Sequence, residues 1–163
     1  FNRARLIKNS KNRIPYGVDL IQKYKRESWI VFTENKKQAK EFNKIINTKG
    51  FKSALYNTDL DSTDRLENLN KFKKADLNVL VTCTALDEGF DMPEADGALI
   101  LSASSSKRQR VQRMGRVLRI TENKPNALIV TVYSSKTEFD KLMEEAKRYH
   151  KEGVPVSWKR QDR

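Results

Sequence analysis

Cysteine and histidine are almost absent from this 163-residue chain: each occurs once, as Cys83 and His150. A single cysteine excludes a disulfide within the chain, and two such residues are too few for a structural zinc site, so we expect no metal ligand set here. Apolar runs such as residues 79–81 and 127–130 are too short to cross a bilayer, and no signal peptide is visible. We therefore expect no membrane partner and an intracellular location, cytoplasmic in a prokaryote and nuclear in a eukaryote.

Three sequence patterns that bind nucleotides or their Mg²⁺ ion are also missing. The chain has no Gly-x-x-x-x-Gly-Lys-Ser/Thr run, which would cradle phosphates, and no Asp-Glu-x-Asp/His run, which would hold Mg²⁺. The lack of a Gly-x-Gly-x-x-Gly loop argues against a signalling or dinucleotide-binding α/β domain. The chain begins with Phe1 rather than Met, which indicates a fragment of a longer protein.

Positive charge, in contrast, is in excess, with 33 Lys and Arg against 21 Asp and Glu and a net charge of +12. It is concentrated in two stretches. Residues 1–27 carry eight basic side chains against two acids, and residues 105–119 carry six against none. Such clustering favours a polyanionic partner, although the charge alone also fits a soluble protein that is merely rich in lysine.

Short apolar runs alternate with helical patterns from residue 28 onward. Strands are predicted over residues 29–33, 53–57, 78–82, 98–101 and 127–133. Predicted helices follow the first, second, fourth and fifth strands. Gly50 ends the first, Asp61 or Ser62 caps the second, residues 107–119 form the third, and Thr137 caps the last. This alternation predicts an α/β fold, an open parallel sheet with helices on both faces.

The domain boundaries follow from the same patterns. Residues 1–27 are expected to be a lead-in or interlobe segment, with a helix around residues 18–24 after the turn signal Pro15-Tyr16-Gly17. Residues 28–150 are expected to form the domain. Residues 151–163 are polar and are expected to be a linker or tail.

The sharpest motif is Gln-Arg-Met-Gly-Arg-Val-Leu-Arg at residues 112–119. On a helix, Gln112, Arg116 and Arg119 share one face because they are spaced i, i+4 and i+7. Two guanidinium groups on one face form an anion clamp, since each binds phosphate through a planar fork. Two interpretations remain open: a sensor of a nucleoside triphosphate, or an exposed basic helix facing solvent or a nucleic-acid backbone.

A second candidate lies where the third predicted strand ends. Ligands of open α/β sheets gather beyond the carboxyl ends of the strands, and Thr82 lies there. Asp91 follows a turn that Gly89 permits and could accept hydrogen bonds from a ribose hydroxyl. Thr82 could instead be a strand-end cap, and Asp91 a simple turn residue.

Taken together, these motifs resemble the C-terminal motor lobe of superfamily 2 helicases. Residues 29–35 are similar to motif IV of that family, residues 82–91 to motif V and residues 112–119 to motif VI. The resemblance covers about residues 28–150. The sequence Phe-Asp-Met-Pro-Glu-Ala at residues 90–95, followed by residues 112–119, is most similar to the subgroup typified by the xeroderma pigmentosum group B translocase.

This resemblance implies a RecA-like fold and a composite ATP site shared with an N-terminal lobe of the same full-length protein, which would hold most of ATP and Mg²⁺. Arg116 and Arg119 would be arginine fingers, and Gln112 would order the cleft. Gly89 and Asp91 would lie at the nucleotide. The implied contacts with the nucleic-acid backbone are Thr82, Thr33 and Arg113.

Two positions depart from the DEAD-box pattern, which has His at the position of Gln112 and Arg at that of Glu88. We therefore expect a DNA helicase or translocase acting on double-stranded DNA rather than a DEAD-box RNA helicase. The fragment alone is expected to be inactive. The alternative is a nucleic-acid-binding module of helicase ancestry that has lost ATPase activity.

Overall fold

The computed structural model describes residues 12–83, 93–102, 104, 106, 127–153 and 155–158. The described helices are α1 (Arg13–Tyr24), α2 (Lys36–Thr48), α3 (Ser62–Lys73) and α4 (Lys136–Lys151). The strands are β1 (Trp29–Phe32), β2 (Ser53–Leu55), β3 (Val79–Thr82), β4 (Gly97–Ile100) and β5 (Leu128–Thr131). They form one parallel sheet, as predicted, and the order of its strands is β2-β3-β1-β4-β5. The chain divides into two compact units, Phe1–Val132 and Tyr133–Arg163.

Alternate residues of a strand point to opposite faces of the sheet. The central strands are buried on both sides, so each face of the sheet contributes to a core. Trp29 and Val31 of β1 belong to one core, which includes apolar residues of α1 and α2. Ile30 and Phe32 belong to a second core, which includes Phe72 of α3. All four residues of β1, β3 and β4 are buried, as expected for the central strands of a parallel sheet.

Side-chain caps define where three helices begin. The Asp61 carboxylate accepts a hydrogen bond from the Asp64 N–H at 2.8 Å, which decides between the two predicted caps of α3. The predicted cap Thr137 is wrong for α4. Ser135 caps that helix by accepting from the Glu138 N–H at 3.2 Å, so the helix begins one residue before Thr137.

Helix α1 is longer and more deeply packed than the sequence suggests. Pro15, Tyr16 and Gly17 were expected to form a turn, but all three lie inside the helix. Proline is tolerated in the first helical turn because the N–H groups there have no intrahelical acceptor. A Cβ atom at Gly17 would lie 2.9 Å from Leu101, so the glycine lets α1 approach the sheet closely. The boundary at residues 27 and 28 stays a prediction, but α1 is part of the core.

Two smaller details concern the packing of α3 and the end of α2. Leu66, Leu69 and Phe72 recur at helical spacing along α3. Phe72 is buried, but Leu66 is 58% exposed, so the buried stripe of α3 is narrower than its apolar pattern. Gly50 follows the end of α2 with φ of +86°, as expected for a residue that terminates a helix.

The second unit contains α4 and a short aromatic row. The rings of Tyr133 and Phe139 lie 5.2 Å apart between centroids, and Trp158 packs edge-on against Phe139 at the same distance. Among the described helices, none combines the length and the apolar character that crossing a membrane requires.

Candidate functional site at the carboxyl edge of the sheet

The central strand β1 ends between β3 and β4, and its last residue pairs with the last residue of each: Phe32 with Thr82 and with Ile100. After β1 the chain continues through α2 to β2, which lies on one side of β1 in the sheet. Strands β4 and β5 lie on the other side. Such a point, where neighbouring strands diverge, is where ligands bind in open α/β sheets.

Thr33 and Thr82, two predicted contacts with nucleic acid, lie side by side at this edge. The Thr33 N–H donates to the Thr82 carbonyl oxygen at 2.8 Å, and the Thr33 hydroxyl donates to the carbonyl oxygens of Asn35 at 3.2 Å and Thr82 at 3.3 Å. Both side chains are buried. As placed, the two threonines join the ends of β1 and β3, and their contact with a nucleic-acid backbone stays a proposal.

Glu34 turns to the opposite side, toward the end of β4. Its Oε2 accepts from the Ser102 hydroxyl at 2.5 Å and from the Ser104 N–H at 3.3 Å. The same Ser104 N–H is shared with the Ser102 hydroxyl oxygen at 3.2 Å. Consecutive residues of one loop therefore reach both neighbouring strand ends.

A charged cluster at the start of α2 spans the edge from β1 to β2. Lys36 and Lys40 each form an ion pair with Asp59, which follows β2. The ammonium of Lys36, and then that of Lys40, hold the pKa of Asp59 below its usual 3.8, so the carboxylate stays charged to a lower pH than an isolated aspartate would. The pairs are partly exposed, so they fix the position of the loop more than they stabilise the fold.

Arg13 is a residue of this edge that the sequence did not identify. Its guanidinium is buried and donates from Nη1 to the carbonyl oxygens of Leu101 at 3.1 Å and Val132 at 2.8 Å. These are the residues that directly follow β4 and β5. In the sequence, Arg13 is one of many basic residues near the N terminus. Only its i, i+4 and i+7 spacing to Gly17 and Leu20 could have shown that it lies on a buried helix face.

The remaining predicted site residues lie outside the described residues: Gln112, Arg113, Arg116, Arg119, Gly89 and Asp91. The predicted helix over residues 107–119 lies there too. Over the part of the chain that the structure does describe, no group of three or more His, Cys, Asp or Glu side chains is placed to hold a metal ion.

Comparison with known proteins identifies the family of the larger unit. The model of the "Helicase conserved C-terminal domain" family matches residues 12–121. The DNA 3'-5' translocase XPB2 of Sulfurisphaera tokodaii is 35% identical over 129 residues, covering 79% of this chain and 28% of that protein. The predicted resemblance to the xeroderma pigmentosum group B type is thereby confirmed.

A relative named for an RNA substrate and a solved helicase-family structure match as well. The ATP-dependent rRNA helicase RRP3 of Yarrowia lipolytica is 25% identical over 123 residues, covering 76% of this chain and 26% of that protein. The structure of the C-terminal domain of S. cerevisiae Dbp5, bound to Gle1 and IP6, superposes with a TM-score of 0.70 at 19% identity and covers 88% of this chain and 82% of that one. This confirms the RecA-like fold. The chain spans little more than a quarter of the length of the two sequence relatives.

Proposed function

Because this chain belongs to the Helicase conserved C-terminal domain family and is the second RecA-like lobe of a superfamily 2 helicase or translocase, we propose that it supplies one half of a composite ATP site. The other half would be an N-terminal RecA-like lobe in the same full-length protein. ATP bound between the two lobes would draw them together, and its hydrolysis would release them, so that the lobes step along nucleic acid.

The observation that carries this proposal is that the family match runs through residues 112–119 in a chain without a phosphate-binding loop. Arg116 and Arg119 would reach the phosphates of ATP held by the other lobe. There they would stabilise the negative charge that develops on the transferring phosphoryl group. Gln112 would order the cleft, and Gly89 and Asp91 would lie at the nucleotide, with Asp91 near the ribose.

The donor set of this chain fits the phosphates rather than the metal. A guanidinium group has five N–H donors and no acceptor, whereas Mg²⁺ prefers oxygen ligands. No metal-holding cluster is present among the residues described above. We therefore propose that Mg²⁺ binds mainly to the other lobe, where it would neutralise charge on the phosphates.

We propose that the full-length protein moves along double-stranded DNA. Gln112 and Glu88 differ from the DEAD-box residues at those positions, and a DNA translocase is 35% identical to this chain. Thr33 and Thr82, at the ends of β1 and β3, and Arg113 would contact the backbone of the DNA. Backbone contacts favour movement along any sequence, because phosphates carry no sequence information.

The proposal is tested by the ATPase activity of the intact protein and of this 163-residue chain. We expect turnover only in the intact protein, since the chain alone has no phosphate-binding loop. We also expect stimulation by double-stranded DNA that exceeds stimulation by RNA of equal length. An intact protein that is inactive with every nucleic acid would instead support the nucleic-acid-binding module of helicase ancestry.

Binding of the isolated chain to DNA is expected to be weak and strongly dependent on salt. If two to four phosphates are neutralised, affinity should fall about 10- to 150-fold between 50 and 200 mM monovalent salt. Fluorescence anisotropy with a labelled duplex measures this, and duplexes of equal length but different sequence are the control. Affinity that is independent of salt, or that depends on sequence, would contradict the backbone contacts.

A further inference from the structure

Glu34 occupies the point where the central strand ends and the two sides of the sheet diverge. Thr33, the preceding residue, bonds to the end of β3, and the Glu34 carboxylate bonds to the residues after β4. Glu34 is not among the residues predicted to contact the nucleotide or the nucleic acid. Its position nevertheless links the edge at which we place nucleic acid to the segment that leads toward residues 107–119.

The backbone of Glu34 is held in place by hydrogen bonds that do not involve its carboxylate. Its N–H donates to the Gln38 side-chain oxygen at 3.2 Å, and the Asn35 side chain caps α2 by accepting from the Gln38 N–H at 3.0 Å. Gln38 is itself buried. Glu34 therefore lies immediately before the capped start of α2, and its backbone is tied to the first turn of that helix through Gln38.

The partners of the carboxylate, Ser102 and Ser104, lie just after β4. Ser102 is 1% exposed, and its hydroxyl donates to Glu34, while its oxygen shares the Ser104 N–H with Glu34. The Ser104 hydroxyl then lies 3.0 Å from that of Ser106. A carboxylate accepts several hydrogen bonds at once, and bonds to a charged acceptor are about twice as strong as those between neutral groups. This arrangement ties Ser102 and Ser104, which follow β4, to the residue after the end of β1.

We propose that Glu34 is a positioning residue that couples nucleic-acid binding to ATP hydrolysis by holding Ser102 and Ser104 in place. Movement at the ends of β1 and β3, when nucleic acid binds, is transmitted through Glu34 to the start of the segment that carries Arg116 and Arg119. This inference rests on the proposed function of the chain as a motor lobe. It adds a connection inside the lobe between its two ligand sites.

The first test is steady-state ATPase activity of full-length Glu34→Ala, Glu34→Gln and Glu41→Ala variants. Glu41 is exposed on α2 and serves as the control. We expect Glu34→Ala to lower the nucleic-acid-stimulated kcat about 10- to 100-fold, with KM for ATP and the Kd for DNA within about threefold of wild type, as for loss of an interaction made only in the transition state. Glu34→Gln keeps an oxygen acceptor and should recover part of the loss. An unchanged kcat, or a loss confined to the Kd for DNA, would overturn the proposal.

A double-mutant cycle with Ser102→Ala tests whether the effect passes through the contact between Glu34 and Ser102. If it does, the double variant is no slower than Glu34→Ala alone, because both substitutions break the same contact. Fully additive losses of kcat would show that Glu34 acts elsewhere. Thermal melts of all variants identify any that fail to fold, and Glu34→Gln keeps the test usable if Glu34→Ala is among them.

Hydrogen exchange of the isolated chain separates this inference from the proposed function. The Ser104 N–H is expected to exchange slowly in the wild type and about tenfold or more faster in Glu34→Ala, while amides of β1 stay protected. Equal Ser104 exchange in both would refute the contact whatever the motor does. If Glu34→Ala loses protection at the Ser104 N–H but the intact wild-type protein shows no ATPase activity, the contact between Glu34 and Ser104 stands. The motor function, and with it the coupling role, would then be refuted.

Discussion

Replacing Arg116 by alanine in the full-length protein is expected to lower nucleic-acid-stimulated ATP turnover about 10³- to 10⁵-fold, the contribution typical of an arginine finger. The reason is electrostatic: a guanidinium stabilises charge that appears on the phosphoryl group only during transfer, so its loss raises the barrier without removing substrate binding. Single-turnover hydrolysis at saturating ATP and DNA measures the effect on the chemical step.

Two further variants make the Arg116 experiment specific. Arg116→Lys keeps the positive charge but loses the planar fork, so it should recover only a small part of the turnover. Arg148→Ala removes an exposed arginine from α4 and should leave turnover near that of wild type. Turnover of Arg116→Ala within about tenfold of wild type, in a protein whose melting temperature is unchanged, would reject Arg116 as a finger.

The largest expected effect on stability is at Gly97, the first residue of β4. Gly97 pairs with Trp29 on the neighbouring strand, and a Cβ atom there would lie 2.6 Å from Trp29 Cε3 and 2.8 Å from Cδ2 and Cζ3. Trp29 is fully buried, so a shift of its ring would disturb the side chains packed around it. We expect Gly97→Ala to lower the free energy of unfolding by about 3 kcal/mol, at the upper end of the range for overpacked cores.

Urea unfolding, followed by far-ultraviolet circular dichroism, measures the Gly97 effect, and a second substitution checks its cause. Trp29→Phe shrinks the ring, so Gly97→Ala should cost less in the Trp29→Phe background than in the wild type. Equal costs in both backgrounds would show that contact with the indole is not responsible. A cost of Gly97→Ala below about 0.5 kcal/mol would contradict the packing itself.

The fold could be predicted because its strongest signals are local. Runs such as residues 29–32 and 79–82 are apolar at every position, as central parallel strands require, and they alternate with helical periodicity. Caps were harder to place. Ser135 and Thr137 lie two positions apart, and both are residue types that cap helices. Ser135 caps α4, and the Glu138 carboxylate accepts a further hydrogen bond from the Ser134 N–H at 2.7 Å.

The misplaced turn and the missed site residues have a different cause, since they depend on contacts that are distant in sequence. Pro15 and Gly17 carry a turn signal, but the gain from packing α1 against Leu99 and Leu101 outweighs that local preference. Arg13 and Glu34 bond to residues 88 and 68 positions away, respectively, and no spacing rule connects such positions. The motif spacing predicted which residues to test, whereas the hydrogen bonds that hold the edge together required the structure.

The buried guanidinium of Arg13 also affects how the protein is made. Its two carbonyl partners, Leu101 and Val132, lie 88 and 119 residues later in the chain. At translation rates of about 5–20 residues per second, Val132 is synthesised about 6–24 s after Arg13. Until Leu101 is synthesised Arg13 lacks both carbonyl partners, and until Val132 follows it lacks one of the two. Although α1 precedes all five described strands in the chain, its docking at this edge of the sheet is therefore completed only after β5 has been synthesised.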